Sequence, residues 1–295
     1  MVVLRTVVLD GVSASCAGAG RPPVEPSSKG DAVRLRRLGW AGVELEHAGR
    51  TLVIDLIEDA APLFSDEKFP AASRPGETVA ALVTHLHSDH ADPVAIRKAL
   101  APGAPVYRPE PVTGSDDDLK WTCETEGSFR EHGVETEVVR PWEERRVGPF
   151  RIGAGPGIDG LGDPQLGWVV ECDGLRVFHG GDTMFHGHWW SIARRFGPVD
   201  IAFVPINGAI VELPHLQPPS PFPAVMLPEE AAVAAHILGA RVAVPIHYGT
   251  LHKPPIYVET PHAVERFEKR SRELGITPLV ALCGQWFTPD AAYVQ

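Results

Sequence analysis

The sequence predicts an α/β fold in which helices cover the outer faces of two β-sheets, and two features predict it. Early in the chain, short segments alternate apolar and polar residues with a period of two, the pattern of half-buried antiparallel strands. Farther along, apolar runs of strand length alternate with segments of helical length, the pattern of buried strands joined through outer helices. The chain has 295 residues, 44% hydrophobic and 22% charged, enough apolar surface for a sizeable core.

The alternating segments are Val33-Arg34-Leu35-Arg36-Arg37-Leu38, Val43-Glu44-Leu45-Glu46 and, past Gly49, Thr51-Leu52-Val53-Ile54-Asp55-Leu56-Ile57, a β-meander. Residues 1–32 read as an arm of the same domain, a strand at Thr6 to Leu9 and a Gly-, Pro- and Ser-rich loop from Gly18 to Gly30; the domain body is 33–295. Val79 to Thr84 is an apolar strand. Asp92 and Pro93 then supply a cap and a first-turn proline for a short helix ending at Leu100. Further strands are predicted at Val134 to Arg140, Arg146 to Gly153, Leu166 to Glu171, Leu175 to His179, Asp200 to Pro205, Arg241 to Ile246 and Pro278 to Leu282. Helices are predicted at Trp189 to Phe196, Pro228 to Leu238 and His262 to Leu274, and the Pro-rich stretch from Leu213 to Pro228 reads as a long loop of the kind that often carries function.

The formal net charge of −11 gives no basic face for nucleic acid, so none is expected as a partner. A local cationic pocket for a small anion remains compatible with it. Cys16, Cys123, Cys172 and Cys283 are far apart, form no Cys-x-x-Cys pair and read as reduced thiols. No apolar run reaches the ~18 residues of a membrane helix, and the opening segment is too short and charged for a secretory signal. The expectation is a cytoplasmic protein acting on a small molecule, with homo-oligomerisation left open.

The chemistry concentrates in Thr84-His85-Leu86-His87-Ser88-Asp89-His90. Imidazole and carboxylate suit divalent zinc, iron or manganese, and histidines two apart on an extended segment face the same side. His85 and His87 can therefore share one ion, while Asp89 and His90, where the chain turns toward the helix, can face a second. Two later strands also end in ligand residues. Phe178-His179-Gly180-Gly181-Asp182-Thr183 places Asp182 after glycines that permit close backbone approach, and Val242-Ala243-Val244-Pro245-Ile246-His247 ends in histidine. Alone, the first reads better as a turn and the second as a structural histidine; together they point to one metal site along the common edge of the sheets.

Thr84 to His90, Gly181-Asp182-Thr183 and Pro245-Ile246-His247 follow the order and approximate spacing of the metallo-β-lactamase superfamily, which the chain resembles from about Val33 to Cys283. Within it the chain is most similar to the branch that includes ascorbate-6-phosphate lactonase and N-acyl-phosphatidylethanolamine phospholipase D. The resemblance implies a four-layer αββα sandwich and a metal-dependent hydrolase with two divalent ions, zinc first, manganese or iron as alternatives. It implies that His85 and His87 hold the first ion, that Asp89, His90 and His247 hold the second, and that Asp182 bridges them. Asp55, ending a core strand, resembles the acid that supports the ligand loop from behind. The chain departs from the family where a further histidine is expected: Gly155-Pro156-Gly157-Ile158-Asp159-Gly160-Leu161-Gly162-Asp163 contains none. Asp159 is the best positional match and Asp163 the second; either would make the first site harder, and the alternative is a weak or empty site.

Two cations ~3.5–4 Å apart can activate a shared water to hydroxide and polarise an ester, lactone, amide or phosphodiester oxygen. Asp89 is the residue placed both to bind metal and to shuttle the water's proton. His188, with His186 beside it, could donate a proton to a leaving group, or these residues could cap the following helix and pack under Trp189 and Trp190. Tyr248 could bond a developing oxyanion or simply pack, and His215 and His252 on Pro-rich loops could rim the pocket or be solvated. The competing functions are an iron-dependent oxygenase or other oxidoreductase and a degenerate binding protein; the intact remaining ligand positions argue against the latter.

Overall fold

The computed structural model describes residues 32–59, 68–111, 116–214 and 216–289; the arm ahead of the meander and His215 lie outside them. The first sheet takes β1 (Arg34–Arg37), β2 (Val43–His47), β3 (Arg50–Ile54) and β4 (Thr78–Leu82), then, past helix α1 (Pro93–Ala99), β5 (Val106–Arg108). Helix α2 (Asp116–Glu131) leads to its last strand, β6 (Glu137–Val138). The second sheet begins with β7 (Glu144–Val147), β8 (Phe150–Ile158), β9 (Pro164–Cys172) and β10 (Leu175–His179). After α3 (Trp189–Phe196) come β11 (Ile201–Pro205), the short β12 (Ile210–Val211), α4 (Pro228–Ile237), β13 (Val242–Ile246), the short β14 (Tyr257–Val258), α5 (Ala263–Glu273) and β15 (Thr277–Pro278).

The order is β1-β2-β3-β4-β5-β6 in one sheet and β15-β13-β11-β10-β9-β8-β7 in the other, with β12 and β14 paired as a small separate sheet. Each large sheet is antiparallel among its first strands and parallel among its later ones. Side-chain alternation sorts the core into layers. From β3 and β4, Leu52, Ile54, Ala80 and Leu82 face a cluster shared with Ile201, Phe203, Val242 and Val244 of the second sheet. Their neighbours Val53, Ala81 and Val83 instead meet Ala95, Ile96 and Phe129 of α1 and α2. On the second sheet Ala202, Val204 and Ala243 face Trp189, Ile192, Ala231 and Phe267 of α3, α4 and α5. Three cores separate four layers, helix, sheet, sheet, helix, as the αββα expectation requires.

The predicted α1, α3, α4 and α5 fall within a residue or two of the observed helices, and Asp92 Oδ1 accepts from the amides of Val94 and Ala95, both at 3.0 Å. Differences occur where the pattern is weak. The predicted strand from Arg146 to Gly153 is a hairpin, β7 turning at Gly148 into β8, and those at Val134 to Arg140 and Pro278 to Leu282 shrink to the two residues of β6 and of β15. Helix α2 is not anticipated by the sequence reading: among its described side chains the buried ones are Thr122, Thr125 and Phe129, two of them hydroxyls where apolar residues would signal a helix.

Candidate metal centre

The residues of interest collect at one edge of the sandwich, just past the ends of β3, β4, β8, β10, β11 and β13. The two sheets are tied there by the Leu166 amide bonding the Thr84 carbonyl at 2.9 Å and by His179 Nε2 donating to the Ala41 carbonyl at 2.7 Å. Burial lowers the pKa of His179, so the ring is neutral and its Nδ1 accepts the Gly181 amide. Gly181 has φ +65° and its α-carbon abuts Thr84, so an added Cβ would sit 2.8 Å from Thr84 Oγ1. Only glycine delivers Asp182 from that approach.

Asp55, wholly buried, organises the histidine loop. One oxygen accepts from the Thr84 amide at 2.8 Å; the other accepts from Thr84 Oγ1 at 2.7 Å and His90 Nδ1 at 2.8 Å. This bonding fixes ring orientations. His90 donates Nδ1–H to Asp55, which turns Nε2 toward the site. Thr84 Oγ1, having donated to Asp55, accepts from His85 Nδ1 at 3.1 Å, so His85 also presents Nε2. His87 is reversed: its Nε2 donates to Asp163 Oδ2 at 2.5 Å, and its Nδ1 faces His85 Nε2 at 2.9 Å.

Ligand atoms of His85, His90 and Asp182, of His85, His87 and Asp89, and of Asp89, His90 and His247 each lie within 4.8 Å of one another. His247 Nε2 is 3.7 Å from Asp89 Oδ2 and 3.9 Å from Asp182 Oδ2. His90 Nε2, His247 Nε2 and Asp182 Oδ1 are buried without hydrogen-bond partners. Leaving a buried polar atom unpaired costs ~1–3 kcal/mol, so such atoms converging on one space call for a shared cation. The donor set of imidazoles and carboxylates fits divalent metals.

Electrostatics follow the same geometry. Burial opposes protonation of His87, but the Asp163 bond and the charges of Asp159, Asp182 and Asp89 outweigh it and raise its pKa to about 10. His90, also opposed by burial, is raised to about 9 by Asp89 and Asp55. Burial, then the charges of His90 and His87, keep His85 well below its ordinary value, and burial takes His247 down to about 4. Burial lifts Asp182 to about 7, with the Asp159 and Asp89 charges adding to it.

Asp159 and Asp163 group with His87 but not with His85 or Asp182: Asp159 Oδ2 is 4.0 Å from His87 Nε2 and accepts the Asp163 amide at 2.8 Å. His188 is exposed at the start of α3, and among the described residues its side chain bonds to none of the cluster. His186 stacks on Trp189, ring centroids 4.0 Å apart, and its Nδ1 accepts the His188 amide. Tyr248 Oη accepts from Arg37 at 3.1 Å, while His252, exposed, accepts the Glu259 amide.

Two contributors were not read from the sequence. Trp40, in the β1–β2 turn, donates Nε1 to Asp89 Oδ2 at 3.0 Å, packs its ring at a tilt of 40° against His247 with centroids 4.0 Å apart, and accepts the His247 amide on its carbonyl. Gly39 and Gly42 around it were the available signal. Tyr257, whose hydroxyl bonds Asn207, is the other.

The beta-lactamase superfamily domain model matches residues 50–248, which takes in the His-rich loop, Asp182 and His247. The chain belongs to the metallo-β-lactamase superfamily. Within it, a metal-dependent hydrolase of the UPF0173 family from Rubrobacter xylanophilus is 32% identical, over 82% of this chain and 90% of the relative. Igni18, a metallo hydrolase from Ignicoccus hospitalis, superposes with TM-score 0.61 at 20% identity, over 87% of this chain and 98% of its own. CmlA, a diiron β-hydroxylase from Streptomyces venezuelae, superposes with TM-score 0.66 at 17% identity, over 90% of this chain and 55% of its own. At those identities the two structures speak to the superfamily fold alone. Among the described residues no helix is long and apolar enough to cross a membrane.

Proposed function

We propose that this superfamily member is a hydrolase that activates water at a centre of two divalent ions and cleaves an ester or lactone, an amide or a phosphodiester of a small molecule. The convergence of buried, unpartnered ligand atoms on His90, His247 and Asp182 with the facing nitrogens of His85 and His87 carries this reading. His85 and His87 would hold the first ion, Asp89, His90 and His247 the second, and Asp182 both. Two ions held there would supply Lewis acidity, acidifying a water and polarising the oxygen of the scissile group. Asp89, with Oδ2 steadied by Trp40, orients that water and takes its proton. Asp163 supports His87 from its far nitrogen, and Asp159, 4.0 Å from that same nitrogen, would complete the first set only by turning toward His85. Zinc suits the imidazoles, and the paired acids make manganese or iron acceptable.

The test is elemental analysis of protein purified without added metal, together with turnover of a nitrophenyl ester, a lactone, an anilide and bis(4-nitrophenyl) phosphate. Two zinc or manganese ions per chain, with turnover lost on chelation and restored by metal, is the expected result. A single iron without hydrolysis would favour oxygen chemistry, and no metal at all a binding protein.

A further inference from the structure

The end of the second sheet carries a polar pair that the ligand set leaves unused. Ile206, whose amide bonds the Ile246 carbonyl at 3.2 Å, stands opposite His247 at the neighbouring strand end, and Asn207 follows it directly. Asn207 is wholly buried. Its carbonyl accepts the Thr260 amide at 2.7 Å, its Nδ2 donates to Tyr257 Oη at 2.7 Å, and its Oδ1 has no partner.

The consequence falls on Tyr257. Its oxygen is occupied as an acceptor, so its own hydrogen points elsewhere, and among the described residues no group accepts it. Tyr257 sits on β14, held against β12 by the Val211 pairing and closed on itself by the Lys253–Tyr257 amide pair. Its ring packs on the intersheet core, and its hydroxyl end lies within the field of Asp89 and Asp182. Burial, then the Asp89 charge, push the phenol well above its ordinary range, so it remains a donor throughout the neutral range.

We infer that Tyr257, aimed by Asn207, is a further catalytic residue: its phenol donates a hydrogen bond to the substrate oxygen on which negative charge develops. Asn207 is its positioning residue. This rests on the hydrolytic reading above. A neutral donor fixed before reaction stabilises such an oxygen without reorganising, and removing one such donor from a hydrolytic site costs roughly 100- to 1,000-fold in turnover.

The experiment uses the metal-loaded enzyme and whichever probe of the ester, lactone, anilide and phosphodiester panel the wild type turns over. Tyr257→Phe keeps the ring and its packing. It is expected to lower kcat roughly 100-fold, with KM within about twofold, to leave metal content unchanged and to lower Tm by only a few degrees for the lost Asn207 bond. Asn207→Leu, close in volume, is expected to lower kcat less, because the phenol keeps its hydrogen but loses its aim. Binding of phenylboronic acid, whose tetrahedral adduct presents an oxyanion, should weaken at least tenfold in Tyr257→Phe by calorimetry. A wild-type kcat and wild-type boronate affinity in Tyr257→Phe would overturn the role of Tyr257 and leave the hydrolytic reading standing. A metal-loaded wild type inert on every probe would overturn both.

Discussion

The two halves of the centre are built differently. The half formed by Asp89, His90 and His247 is anchored from behind: Asp55 holds His90, Trp40 holds Asp89 and packs against the His247 ring, and His90 and His247 are almost fully buried. The half formed by His85 and His87 faces the β8–β9 turn, where two aspartates crowd His87 and the side chains of His87 and Asp163 keep 13% and 12% exposure. The first arrangement fixes the orientation of His90 and Asp89 through Asp55 and Trp40. The second leaves a choice between acids, so the first half should be the more adjustable in metal identity and affinity.

The largest effect is expected where the halves meet. Asp182 reaches toward His85 at 3.6 Å and His247 at 3.9 Å, and Asp182→Ala should remove metal from both halves and lower turnover by ~1,000-fold or more. Elemental analysis decides: two ions per chain in Asp182→Ala would break the shared-ligand assignment.

Next in size is the anchor of the rigid half. Asp55→Ala deletes the acceptor of Thr84 and His90 inside a closed core, and breaking a buried charged partnership costs about 3–5 kcal/mol. For a chain of this length that is on the order of 10 °C in Tm, measured on the metal-free protein. A loss below about 1 kcal/mol would mean that loop packing, not Asp55, sets the geometry.

The same contrast explains what could be read in the sequence. β11 and β13 are covered on both faces and appear as unbroken apolar runs, β10 is interrupted only by Arg176 before its terminal histidine, and the candidate ligands Asp182 and His247 were legible as residues just past β10 and β13. His85, His87, Asp89 and His90 share one short segment, which made their proximity local. Trp40 acts on Asp89 across 49 positions and Tyr257 on Asn207 across 50, and no periodicity encodes such meetings. The choice between Asp159 and Asp163 depends on how a glycine-rich turn closes, which residue order leaves undetermined.

That choice gives the third prediction, which sharpens the comparison. If Asp163 supports His87 and Asp159 ligates, Asp163→Asn should weaken the first ion by roughly 10- to 100-fold while keeping it bound at saturation. Asp159→Ala should abolish it, and Asp159→His should shift preference toward zinc. Competition titration with a chromophoric chelator separates the cases, and a full complement in Asp159→Ala would assign the ligand role to Asp163.

The smallest effect lies outside both halves and asks whether the acid sensitivity of the fold belongs to the centre at all. Burial, then the charge of His188, lower the His186 pKa from its ordinary 6.5 to about 4 while the ring stacks on Trp189. Its folded value lies below its unfolded one, so the unfolded chain binds the proton more readily and stability rises with pH through this window. The contribution is therefore intact above about pH 6.5 and drains away as pH falls toward 4. His186→Phe keeps the stack and removes the titration, so the variant should stay folded to a lower pH, with its acid midpoint displaced by a few tenths of a unit, roughly what one partly buried histidine supplies. Circular dichroism of metal-free protein from pH 7 to 3 reads this directly. Coincident curves would place acid sensitivity in the centre, where His247, also near 4, would be the histidine that must charge for the fold to open.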